Sequence, residues 1–220
     1  ILATGDEIVM PGDPIGRDQI VSSNALSLAA FITAQGGIPL DLGIAPDEED
    51  GLRALAAGAR GSDILVTTGG ASVGDHDLVQ SVLGDIGLEV DFWRIAMRPG
   101  KPLMFGRIDG TFLIGLPGNP VSSLVCAIMF LAPAIRKMLG MNTLLPETGS
   151  ARLGTDLPEN DEREDYLRAS LSRDENGHVV ATPYGKQDSS MFATIARADA
   201  LVIRKPFAAA AKSGAPVEFI

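Results

Sequence analysis

Apolar residues over the first 140 positions follow two alternating rhythms, short unbroken runs and longer stretches with helical spacing. The runs at 1–4 and 38–44 read as strands and 64–67 as a short buried one, because a strand covered on both faces loses its in-out alternation. Between the first two, Ser22 or Ser23 caps a predicted helix that runs to Ala34, with Leu26, Ala29, Ala30 and Thr33 on its apolar side. Gly36-Gly37 closes it. A second helix opens at Pro46-Asp47-Glu48-Glu49, with acidic residues at its positive end, and runs to Arg60. A helix over 78–84 and strands over 89–97 and 103–108 follow, and Asp109-Gly110 turns the last into a strand over 111–116. The helix over 121–139 is apolar on nearly every side, which predicts burial, and Gly140 ends it. This order predicts an α/β fold over residues 1–143, a mostly parallel sheet flanked by helices.

Beyond residue 144 the helical rhythm stops. Leu167-Arg168-Ala169-Ser170-Leu171 alternates, Glu175-Asn176-Gly177 is a hairpin turn, and 200–204 and 217–220 are strand-like. Pro158, Pro183 and Pro206 stand at the breaks, so residues 144–220 are predicted to form a small all-β domain.

The totals exclude several classes. The 220 residues are 45% hydrophobic, enough for both domains, and no run of about 18 apolar residues lacks a charge or turn signal, so no membrane span is expected. A formal net charge of −10 repels polyanions, so nucleic acid is not an expected partner and any anionic ligand needs local donors. The single cysteine, Cys126, lies in an apolar run and reads as a buried thiol. With only His76 and His178 beside it, a structural zinc site is excluded, while oxygen ligands and magnesium remain open. No disulfide or secretory signal is visible, so a cytoplasmic location is expected. The chain opens on Ile1-Leu2-Ala3-Thr4, read as a strand entered mid-protein, so a longer parent chain is expected.

Open parallel sheets bind ligands outside the carboxyl ends of their strands. Four unusual segments fall there: Thr4-Gly5-Asp6-Glu7, Thr67-Thr68-Gly69-Gly70-Ala71-Ser72-Val73-Gly74-Asp75-His76-Asp77, Arg98-Pro99-Gly100-Lys101-Pro102, and Leu116-Pro117-Gly118-Asn119-Pro120-Val121-Ser122-Ser123. Gly69, Gly70 and Gly74 let the backbone approach an anion closely, with the Ser72 hydroxyl as a further donor. The same residues also suit a tight turn capped by Asp75 or Asp77, and the pattern leaves the two readings open. Asp75 and Asp77, with Asp6 and Glu7, offer carboxylates to one magnesium ion, although such residues also serve as caps. His76 reads as a surface residue. Arg98 and Lys101 flank a rigid turn in a chain short of cations and suit an oxyanion clamp. Asn119 and Pro120 read as the cap and first residue of a buried helix whose N-terminus, with Ser122 and Ser123, suits an anion. Neither G-x-G-x-x-G nor G-x-x-x-x-G-K-[ST] occurs.

TGDE at 4–7, GGASVGDHD at 69–77, MRPGKP at 97–102 and LPGNPVSS at 116–123, in this order and spacing, resemble the molybdopterin molybdotransferase family, the bacterial MoeA proteins and the E domain of gephyrin. The stretches 157–166 and 196–200 are similar to that family's C-terminal β-barrel. The resemblance implies insertion of molybdate into adenylylated molybdopterin with magnesium-dependent release of AMP, in a homodimer of the longer protein. It implies that Thr4, Gly5, Gly69, Gly70, Ser72 and Gly74 cradle the substrate and that Arg98, Pro99, Gly100 and Lys101 hold molybdate or phosphate. Pro117, Gly118, Asn119, Pro120 and Ser122 would shape the pocket. Asp6, Glu7, Asp75 and Asp77 would hold magnesium, with Asp75, Asp77 and Lys101 as the catalytic set. A molybdopterin adenylyltransferase-like enzyme and a gephyrin-like scaffold are the alternatives. Family members carry further domains ahead of this region.

Overall fold

The structure is a computed structural model that describes residues 1–46, 48–69, 84, 87–108 and 110–220. Its first sheet places β1 (Leu2–Thr4), β4 (Ile44–Ala45), β5 (Ile64–Thr68), β6 (Glu89–Trp93), β8 (Met104–Ile108) and β9 (Thr111–Leu116) in the order β4-β1-β5-β9-β8-β6. The pairs from β4 to β9 are parallel, and β9–β8 and β8–β6 are antiparallel, so the sheet is mixed. A hairpin connection through Gly110 allows only the antiparallel pairing of β8 with β9. Strand period splits the core in two. Val66, Ile114 and Leu116 pack on one face with Leu28 and Ile32 of α1 (Asn24–Ala34), while Leu2, Leu65 and Leu113 pack on the other.

The second helix, α2 (Glu49–Ala57), begins on Glu49 and Asp50 and ends three residues short of Arg60. The expected helix over 78–84 lies outside the described residues except for Gly84. The main core helix, α3 (Pro120–Met138), is built from Pro120–Cys126, a π-helical turn over Ala127–Leu131, and Ala132–Met138. Pro133 accounts for the widened turn: it cannot donate to the carbonyl four residues back, and its ring would strike that carbonyl. By length and composition α3 is apolar enough to cross a membrane, the one such helix among the described residues, and half of it is buried against the protein. Its Val121, Val125, Cys126, Ala127 and Leu131 are core.

Three expectations are corrected. Helix α1 buries Asn24, Ala25, Leu28 and Ile32, and Leu26 is 60% exposed, so its core face is one position away from the expected one. Only Ile44–Ala45 of the run 38–44 is a strand. Residues 38–43 form the outer edge of the sheet with no strand beyond them among the described residues, and Ile38 is 97% exposed. The expected strand 89–97 is broken at Arg94, whose φ of 67° is left-handed and whose guanidinium lies 4.0 Å over the Trp93 ring. Its end becomes β7 (Met97–Arg98), which belongs to the second sheet.

That second sheet is a closed five-stranded barrel. Its strands are β10 (Gly149–Leu153), β11 (Glu164–Arg173), β12 (Val179–Pro183), β13 (Ala200–Arg204) and β14 (Pro216–Phe219), ordered β12-β10-β14-β13-β11 and closed by β11 on β12. Alanines 151, 169 and 181 with Leu153 and Val202 fill the narrow interior. β7 pairs in parallel with β11, Met97 opposite Glu164 and Arg98 opposite Asp165. Tyr166 and Leu201 enter the same core as α3, so barrel and α/β sheet share one apolar seam. A two-stranded pair, β2 (Ile8–Val9) with β3 (Ile20–Val21), frames the loop after β1.

Cys126 is buried at that seam against Gly100, and burial pushes its thiol up to about 12. Iodoacetamide at pH 8 is therefore expected to label Cys126 only as fast as the chain unfolds. Rapid labelling of the folded protein would contradict this burial.

Candidate functional site

The carboxyl ends of β1, β5 and β9 open onto a cleft of about 440 Å³. Thr4, Glu7, Thr68, Gly69, Pro117, Gly118, Asn119, Pro120 and Ser122 line it together with Pro102, so all four predicted segments reach the cleft, the cationic turn through Pro102 alone. A second cavity of about 310 Å³, lined among others by Ile1, Ile32, Ile64 and Ile135, lies where β1 and β5 begin, away from these loops.

Each loop reaches the cleft through backbone that only its own residues permit. Gly5 has φ 136°, and the Glu7 carboxylate folds back over it into the space a Cβ would fill. Gly69, at φ 93°, is wedged against Thr4, so the ends of β1 and β5 pack closely through glycine, and Gly118 at the end of β9 lies near enough that a Cβ there would be in ordinary contact with the Gly69 Cα at 3.4 Å. Asn119 holds the extended conformation of a cap, φ −66° and ψ 126°, and Pro120 opens the helix, as expected. The Asn119 side chain makes no capping bond and is exposed beside the cleft. The Val121 N–H donates to the Ser189 carbonyl at 3.0 Å and the Ser123 N–H to Asn119. Among the described residues, only the Ser122 N–H is left over in the first turn of α3.

Buried polar atoms mark the cleft as a polar site. Among the described residues, Thr4 Oγ1 and Asn24 Oδ1 on the cleft wall are buried without a hydrogen-bond partner, as is Ser123 Oγ next to the lining Ser122, and a buried unpaired polar atom carries a desolvation cost that a polar ligand group offsets. Asn24 and the barrel residue Ser190 also line the cleft, and neither was expected from the sequence. The signal for Asn24 was its place as a polar residue on an otherwise apolar helix face. For Ser190 there was none, because its place depends on barrel packing. The loop carrying Ser189 and Ser190 is anchored by Gln187, bonded to both backbone groups of Arg168, and by Arg168 Nη2, which donates to the Asp188 carbonyl at 3.2 Å. Arg168 is fully buried with Nε unpaired, and burial lowers its pKa.

The cationic turn divides. Pro102 lines the cleft, and Lys101 beside it is exposed, with its carbonyl held by the Ile95 N–H at 2.9 Å. Pro99 and Gly100 are buried, with Gly100 at φ 121° packed on Met97 and Cys126. Arg98 was expected to pair with Lys101 as a clamp, but its guanidinium is turned to the barrel. It donates to Asp161 at 2.9 Å, to Asn160 at 3.1 Å and to Asp165, and these carboxylates raise its pKa. Gly70, Ser72, Gly74, Asp75, His76 and Asp77 lie outside the described residues. Glu7 is the carboxylate that lines the cleft among those described, with Asp6 exposed next to it, and no group of three or more metal-ligating side chains occurs among them.

Comparison with known proteins places this geometry. Residues 1–137 match the family described as "probable molybdopterin binding domain". The chain belongs to that family. Residues 150–220 match the MoeA C-terminal region, domain IV. Molybdopterin-binding relatives include the molybdopterin molybdenumtransferases of Haemophilus influenzae, 33% identical over 205 residues, and of Bacillus subtilis, 34% identical over 204. Both alignments cover 92% of this chain but 50% and 47% of the relatives, so the chain spans about half the length of the curated relatives it matches. The crystal structure of the MoeA molybdopterin biosynthesis protein from Pyrococcus horikoshii superposes with a TM-score of 0.84 at 32% identity, over 99% of this chain and 52% of that one.

Proposed function

We propose that this chain forms the substrate cleft of a molybdopterin molybdotransferase, which inserts molybdate into adenylylated molybdopterin and releases AMP. The observation that carries the reading is the meeting of Gly69 and Gly118 at the ends of β5 and β9, beside the orphaned Thr4 and Asn24 side chains. Backbone exposed at neighbouring glycines admits a phosphate closely, and a mainly apolar wall carrying a few polar groups such as Thr4, Asn24 and Ser122 suits a ring-bearing substrate with donors and acceptors. Gly5, Gly69 and Gly118, with Gly70, Ser72 and Gly74, cradle the substrate phosphates. Pro117, Asn119, Pro120 and Ser122 shape the wall at the start of α3, and Lys101, beside Pro102, supplies the cation for molybdate.

Magnesium is commonly bound by one or two carboxylates together with substrate phosphates. Glu7 in the cleft wall fits that role, with Asp6, Asp75 and Asp77 as the other candidate ligands, and bound magnesium would neutralise phosphate charge as AMP departs. The chain's own groups hold the substrate phosphates against Gly69 and keep molybdate near Lys101, with Ser190 of the barrel loop closing one side of the cleft wall. The same reading makes the longer protein a cytoplasmic homodimer.

The test is AMP release from adenylylated molybdopterin with molybdate, with and without magnesium. It uses this chain alone and a chain of the relatives' full length. Release that needs both molybdate and magnesium is expected, and a full-length protein that releases no AMP would sink the proposal. Lys101→Ala is expected to raise the KM for molybdate about tenfold, the worth of one charge-assisted contact, with an unchanged unfolding midpoint. An unchanged KM would remove Lys101 from the site.

A further inference from the structure

Asn24 is the first residue of α1, and at 8% exposure its side chain is buried. Its Nδ2 donates at 2.8 Å to Thr68 Oγ1, 44 residues away, and at 2.7 Å to the Gly118 carbonyl, 94 residues away. Thr68 Oγ1 in turn donates to the Pro117 carbonyl at 3.5 Å. One carboxamide thus joins the helix start, the end of β5 next to Gly69, and the loop that leads into α3.

We infer that Asn24 is the positioning residue that sets the separation of the Gly69 and Gly118 loops across the cleft. The paired register of β5 and β9 ends at Thr68 and Leu116, one residue short of Gly69 and two short of Gly118. Gly69 and Gly118 have no side chains to interlock and meet only through backbone, and Val121 and Ser123 direct their N–H groups elsewhere. A carboxamide is the short side chain able to donate twice from one nitrogen. Gly118's carbonyl only accepts, so the amide cannot turn its oxygen there, which explains why Oδ1 is left buried and unpaired. Leaving an acceptor bare has a cost, and the two donated bonds offset it. The asparagine is not acting as a cap, because Ser23 holds the cap position.

The tie itself is independent of the ligand, and its consequence for binding rests on the molybdotransferase reading. The two are separated by measuring amide exchange and AMP binding on the same variants. In Asn24→Leu, amides of Gly69, Gly118, Asn119 and residues 121–123 are expected to exchange at least tenfold faster, while those of Leu113 and Ile114 in mid-strand keep their rates. The Kd for AMP, read by calorimetry, is expected to rise about tenfold. Asn24→Asp supplies the second arm. Its carboxylate would face the Gly118 carbonyl and has no donor to offer, so burial raises its pKa. Once protonated it donates one bond. Relative to the unsubstituted chain at each pH, its loops are expected to regain protection and its AMP affinity to recover as pH falls. Loop exchange unchanged in both variants, or a uniform rise at every amide, would overturn the inference. Loop-specific exchange in a protein that does not bind AMP would uphold the tie and count against the functional reading instead.

Discussion

Gly69→Ala is expected to destabilise the protein by about 3 kcal/mol and to abolish detectable AMP binding. The left-handed conformation at φ 93° costs an alanine roughly 1–2 kcal/mol. The remainder comes from contact, because the new Cβ would run into the Thr4 carbonyl oxygen. That carbonyl cannot retreat freely: Ala3 pairs with Thr68 and Thr4 with Ala45, so β1 is held on both sides. The strain is relieved either by pulling β1 from β5 or by moving the Gly69 loop toward Gly118, and both deform the cleft. Gly61→Ala is the internal control. Its φ of 85° is nearly the same, but nothing lies within 4 Å of the added methyl. It should therefore show only the conformational cost, about 1 kcal/mol, with AMP binding intact. Urea denaturation of both variants checks the difference, and equal losses would mean that the Thr4 contact is not what fixes glycine at position 69.

How far the sequence foretold this arrangement depended on whether a feature is local. Buried runs such as 64–68 and 111–116 and the turn at Gly110 were legible because strand period and turn chemistry are written in neighbouring residues. The cleft loops at β1, β5 and β9 were legible because strand ends of a parallel sheet collect ligands whatever the remaining packing. Arg98 was misread for the opposite reason. Its partners Asn160, Asp161 and Asp165 lie more than sixty positions away on the barrel, and nothing near Pro99 signals them. The burial of Asn24 depends likewise on Thr68 and Gly118, and the face of α1 was misjudged by one position because Ala25 and Leu28, not Leu26, meet α3. The strand over 89–97 broke at Arg94, whose left-handed φ of 67° no neighbouring residue type signals.

Arg98→Ala is accordingly expected to reduce stability by about 3 kcal/mol and to leave molybdate affinity nearly unchanged. Asp165 decides the size of the effect: its side chain is only 7% exposed, its Oδ1 is already buried without a partner, and Arg98 supplies its ion pair. Removing one member of such a pair leaves an uncompensated buried charge, worth about 3–5 kcal/mol, and the lower end applies because Arg98 itself is 43% exposed and water can follow it out. Asp161 should hardly notice. It is only half-buried, and the Arg163 guanidinium is the main group holding its carboxyl down at about 2, so that bond persists without Arg98. Restoring neutrality should restore stability: Asp165→Asn added to Arg98→Ala is expected to recover more than half of the loss, giving a coupling energy that a urea double-mutant cycle can read. Because β7 pairs with β11 at this residue, the loss should appear at the seam first, as early amide exchange of Met97 and Asp165. The opposite pattern, full stability with a molybdate KM raised as in Lys101→Ala, would return Arg98 to the cleft as an oxyanion ligand. On the geometry observed, the two cations of this turn have separate duties, Lys101 toward the ligand and Arg98 toward the barrel that holds the turn in place.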